Sequence, residues 1–127
     1  LNDSYNSNPE AVRRMIDVLA RETAATRRIA VLGEMLELGS MSETLHREVG
    51  SYAARAGLDA LVGIRGAAVF LVDEARRNGL SERQVFFFDD SESAGAFLRS
   101  WAQPGDAILF KGSRGTQVEK ALAKMEE

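Results

Sequence analysis

Apolar residues along this chain recur with two alternating periods. Val12, Met15, Ile16, Leu19 and Ala20 follow i, i+3, i+4, i+7 and i+8, one face of a helix. Asn8-Pro9-Glu10 ahead of them reads as N-cap, first-position proline and first-turn acid. Arg28-Ile29-Ala30-Val31-Leu32-Gly33 is a short continuous apolar run, as in a strand covered on both faces. Ser40-Met41-Ser42-Glu43 has capping-box spacing, and Leu45, Val49, Tyr52, Ala53 and Ala56 form the next helical stripe before Gly57. Leu58 to Gly63 predicts a second strand, and Ala68, Leu71, Val72 and Ala75 a helix stopped at Asn78-Gly79. The second half repeats the pattern: a strand at Gln84 to Phe88, a helical stripe of Ala94, Phe97, Leu98 and Trp101, then a break at Pro104-Gly105. Ala107 to Phe110 gives a further strand, and Val118, Ala121, Leu122 and Met125 a last amphipathic helix. Strand and helix alternate five times if Leu1-Asn2 is the tail of a first strand. That order predicts an α/β fold: three layers, doubly wound and Rossmann-like, with a mainly parallel sheet and helices on both faces.

Composition narrows the function classes. A length of 127 residues predicts one domain spanning residues 1–127. Lys+Arg 16 against Asp+Glu 19 gives a net charge of −3, and without a basic cluster nucleic acid is not an expected partner. With no Cys and one His, neither a disulfide framework nor a thiol nucleophile is available, and no metal site is expected. The absence of Cys fits a cytoplasmic protein. The longest apolar run, Gly66 to Val72, falls far short of the ~20 residues of a membrane helix, so no membrane insertion is expected, nor is a signal peptide visible. The chain opens at Leu1 directly into a motif-like segment, which reads as a piece of a longer protein.

In an open parallel sheet, ligands bind beyond the carboxyl ends of the strands. Three segments placed there carry unusual residues. Asp3-Ser4-Tyr5-Asn6-Ser7-Asn8-Pro9 offers a carboxylate, a phenol and amides before a helix start. Asp3 has the chemistry to accept from paired ribose hydroxyls, Tyr5 to lie on a base and Asn6 to read its edge, while Asn8 equally serves as a cap. Gly33-Glu34-Met35-Leu36-Glu37-Leu38-Gly39 sets Glu34 beyond a strand, to receive a cation or to remain solvated. His46 follows at the next helix start, either functional or simply a partly exposed polar residue. Lys111-Gly112-Ser113-Arg114-Gly115 combines two cations with a helix start, a seat for phosphate or carboxylate, or else a tight turn with solvated charges. It is not a Walker A loop, since G-x-x-x-x-G-K-[ST] occurs nowhere in the chain.

Taken together, Asp3 to Pro9, Ala30 to Gly39, Leu45-His46-Arg47-Glu48-Val49-Gly50 and Lys111 to Gly115 closely resemble the C-terminal domain of the Mur ligase family, in its MurF branch. The four blocks run in order and cover essentially the whole chain; Asn2, Ser7 and Glu34 stand where Asp, Ala and Asp are usual. The resemblance implies the third domain of a three-domain, ATP- and Mg2+-dependent ligase of peptidoglycan synthesis. Such an enzyme joins D-Ala-D-Ala to UDP-N-acetylmuramoyl-tripeptide through an acyl phosphate. It also implies that the phosphate loop and metal ligands lie in a central domain, so that this chain alone is inactive and contains no catalytic residue. On that pattern Asp3, Tyr5, Asn6 and Asn8 belong to the nucleotide site. Lys111, Ser113, Arg114, Glu34 and His46 are candidates for the dipeptide or for closure against the enzyme's own N-terminal and central domains. The same domain of a sister Mur ligase or of folylpolyglutamate synthetase is the alternative, as is a stand-alone nucleotide-binding module.

Overall fold

Asn8 starts the first helix as its sequence suggests, its side-chain oxygen accepting the Ala11 N–H at 2.8 Å with Pro9 directly behind it. The computed structural model describes residues 7–112 and 118–126. In chain order it contains α1 (Pro9–Ala20), β1 (Arg27–Gly33), a 3-10 turn (Gly39–Met41), α2 (Ser42–Arg55), β2 (Ala60–Ile64) and α3 (Ala68–Arg77). β3 (Val85–Phe88), α4 (Ser91–Trp101), β4 (Asp106–Lys111) and α5 (Val118–Met125) follow. The strand proposed at Leu1-Asn2 lies outside the described residues.

The described strands form one all-parallel sheet of order β3-β2-β1-β4. β1 lies inside it, with Ile29 paired to Ala60 on one side and to Ile108 on the other. Because side chains alternate along a strand, β1 feeds two cores. Ala30 and Leu32 pack with Val12, Ile16, Val49 and Leu71, beneath α1, α2 and α3. Ile29 and Val31 pack with Ala94, Leu98 and Ala121, beneath α4 and α5. This is the three-layer arrangement expected from continuous apolar runs. On the second face Phe97 stacks on Trp101 while Phe86 meets both at a tilt or edge-on, with ring centroids about 5 Å apart, and Arg27 lies over the Trp101 ring while forking onto Asp106.

Two expectations need correction. The Ser40–Glu43 capping box does not form: the chain enters α2 through the 3-10 turn, and the cap residue Met41, at φ −89° and ψ 0°, lacks the extended geometry a capping hydroxyl needs. Glu43 instead pairs with Arg47 at 3.0 Å. On α5 Leu122 is 38% exposed, while Ala121 carries the contact with the sheet.

Candidate functional site

With all strands parallel, every carboxyl end reaches one edge, where β3, β2, β1 and β4 end in the order Phe88, Ile64, Gly33, Lys111. α1 runs back toward the start of β1, so Asn8 lies at this edge too. The structure thus brings Asn8, Glu34, His46 and Lys111 to one side of the molecule. Asp3, Tyr5, Asn6, Ser113 and Arg114 lie outside the described residues.

Each described candidate has a definite setting. Lys111 is buried at 5% exposure, its backbone paired with Leu32 of β1, so the last strand ends beside the Glu34 loop. Glu34 turns its carboxylate sideways onto the next strand connection: Oε2 accepts the Ala67 N–H at 2.9 Å, at the start of α3. Its own N–H donates to the Ile64 carbonyl at 3.0 Å. Gly66 makes room for this, since a Cβ there would lie 2.2 Å from Glu34 Oε2.

His46 is fully buried, whereas Leu45, expected on the buried stripe, is only half-buried. The Met35 N–H donates to Nε2 at 2.9 Å. A backbone amide only donates, so Nε2 is the bare nitrogen, and Nδ1–H donates to the Ser42 carbonyl at 2.7 Å. Both ring nitrogens are therefore used by backbone groups. Burial pushes the imidazole below its usual range, against smaller opposite effects of the Ser42 carbonyl and the Glu34 carboxylate.

This setting predicts a pH dependence. As pH falls through about 6.5 the unfolded chain takes up a proton at His46 that the folded chain resists. Stability is then lost progressively down to the lowered folded value, at no more than about 1.4 kcal/mol per pH unit. Thermal melts between pH 7.5 and 5 should show this acid-side loss in the native chain and not in His46→Gln.

Two features were not anticipated from the sequence. Arg65, in the β2–α3 turn, is exposed with φ 74°, and Glu37, in the β1–α2 loop, has φ 63°. The second feature lies at the opposite edge. There the last turns of α1 and α2 enclose a pocket of about 510 Å3 lined by Asp17, Arg21, Tyr52 and Arg55, with Tyr52 donating to Asp17 at 2.5 Å. An Arg-Gly pair following a strand was the available signal for the first; no local pattern marks the second.

Comparison with known proteins adds what geometry does not. The family model described as Mur ligase, glutamate ligase domain, matches residues 1–114. A UDP-N-acetylmuramoyl-tripeptide–D-alanyl-D-alanine ligase of Synechocystis is 36% identical over 98% of this chain. The match covers 27% of that protein, so the chain spans about a quarter of the length of such relatives. Among solved structures, a MurF ligase from Thermotoga maritima in complex with ADP superposes with a TM-score of 0.77 at 29% identity, over 97% of this chain and 26% of that one. MurF from Acinetobacter baumannii gives 0.83 at 29% identity, over 98% and 27%.

Proposed function

Since the chain belongs to the Mur ligase family, as its glutamate ligase domain, we propose that it is the C-terminal domain of an ATP-dependent ligase joining D-alanyl-D-alanine to UDP-N-acetylmuramoyl-tripeptide. The observation that carries this reading is the match, along nearly the whole chain, to relatives bearing that activity in their names. The sheet edge supports it. Polar loops converge there, as suits one side of a shared site. In this reading the remaining domains hold Mg2+ and the triphosphate. This chain closes over them, bringing Asp3, Tyr5, Asn6 and Asn8 to the nucleotide. Closure excludes water from the acyl phosphate, which water would otherwise hydrolyse.

The test is phosphate release by the full-length protein. It should require both UDP-N-acetylmuramoyl-tripeptide and D-Ala-D-Ala, and glutamate should not replace the dipeptide. The 127-residue chain alone should give none. Release driven by glutamate would point instead to a sister ligase.

The loop after β4 supplies a sharper test. A dipeptide carboxylate held in a closing cleft calls for a fixed cation, and Arg114 has the planar fork for two parallel hydrogen bonds. Arg114→Lys in the full-length ligase should therefore raise the KM for dipeptide, and Arg114→Ala should raise it further, with a smaller effect on ATP. Equal shifts in both KM values would make Arg114 a closure contact.

A further inference from the structure

We propose that Glu34 and His46 are positioning residues, which lock the β1–α2 loop and the β2–α3 turn together at the substrate edge, and are not substrate ligands. This rests on the ligase reading for what the edge does, but the lock itself stands on geometry. Glu34 leaves β1 and places its carboxylate on the Ala67 N–H, thereby occupying the start of α3, where an anion would otherwise be attracted. One residue later the Met35 N–H is held by His46, which is itself tied to the first turn of α2 through Ser42. Two hydrogen bonds thus join the end of β1 to α3 and to α2, and a third, within α2, fixes the His46 ring. Gly66 completes the seat: its missing Cβ leaves the space that the Glu34 carboxylate fills, and its φ of 51° is one that glycine adopts without strain.

What the lock holds in place is unusual. Among the described residues only Glu37 and Arg65 combine a side chain with positive φ, and they occupy the two segments that the lock joins. Such backbone persists when its surroundings over-determine it, and it gathers at functional sites. Leu36 and Met41, at 39% and 50% exposure, stand on the same loop. The polar parts of Glu34 and His46 point into the lock, and the strained, exposed residues point out of it. The carboxylate therefore serves as a hydrogen-bond acceptor for backbone, and the imidazole as a neutral two-sided clamp.

The two roles of Glu34 separate by substitution in the full-length ligase. Glu34→Gln keeps an acceptor for Ala67 but removes the charge, whereas Glu34→Ala removes both. Positioning predicts that kcat/KM for D-Ala-D-Ala falls about tenfold to a hundredfold in Glu34→Ala, mostly in kcat, and that Glu34→Gln costs no more than about fivefold. Gly66→Ala, which displaces the carboxylate without altering Glu34, should resemble Glu34→Ala, and the double variant should fall no further than either. Amide hydrogen exchange over residues 33–41 and 64–70 should accelerate in Glu34→Ala, Gly66→Ala and His46→Ala but not in Glu34→Gln. If Glu34→Gln is as impaired as Glu34→Ala with exchange unchanged, the charge acts on a ligand and the proposal is overturned; it is equally overturned if Glu34→Ala changes neither rate nor exchange. Absence of dipeptide ligation by the unmodified enzyme would refute the ligase reading instead, and the exchange pattern would still decide the lock.

Discussion

Replacing Gly50 by alanine should lower the melting temperature by about 10 °C, although alanine is the better helix former. Gly50 lies where α2 crosses α3, and a Cβ there would lie 2.0 Å from the Leu71 carbonyl oxygen and 2.9 Å from its carbon. Both are backbone atoms inside a helix, so no side-chain rotation relieves the clash; α3 must move bodily. Forced overpacking of this kind costs about 3 kcal/mol or more, against a propensity gain of about 1 kcal/mol. Calorimetry decides the sign. A melting temperature that stays level or rises would mean that the two helices separate more freely than their contact suggests.

The second large effect is expected at Asp3. If its carboxylate accepts both ribose hydroxyls in the assembled ligase, Asp3→Asn removes a charge-assisted contact worth roughly 1.5–3 kcal/mol. The KM for ATP should then rise about tenfold to a hundredfold with the melting temperature nearly unchanged. The opposite outcome, an unchanged KM with a lowered melting temperature, would make Asp3 a loop carboxylate that serves the fold.

The fold was legible because parallel strands buried on both faces leave a plain trace. Ile29 to Leu32 and Ala60 to Val62 read as strands without any pairing information, and Asn8-Pro9 marked a helix start that the structure reproduces. The carboxyl edge was legible too, by the general rule for such sheets. Periodicity failed at α2. There a histidine counts as polar, yet it is buried with both nitrogens on backbone partners, and this turns the helix face by one residue from Leu45 to His46. The seat of Glu34 was not readable either. Its acceptor role depends on Ala67, 33 positions away, and on a glycine whose absent Cβ matters only in three dimensions. The assignments of Asp3, Tyr5, Asn6, Ser113 and Arg114, which lie outside the described residues, rest on their side-chain chemistry and on resemblance.

The strand order has a consequence for how the molecule is made. β1 is translated before both of its neighbours, yet one of them is β4, and Arg27 meets Asp106 across a separation of 79 residues. β2 and β3, the strands of the other flank, also precede β4 in the chain, so three of the four described strands are made before the fourth. Until residues 106–111 arrive, one edge of a strand destined for the interior presents unpaired N–H and C=O groups, the template on which foreign strands add. Before β4 is translated, one edge of an inner strand is thus open to the pairing that leads to aggregation, and β4 covers it.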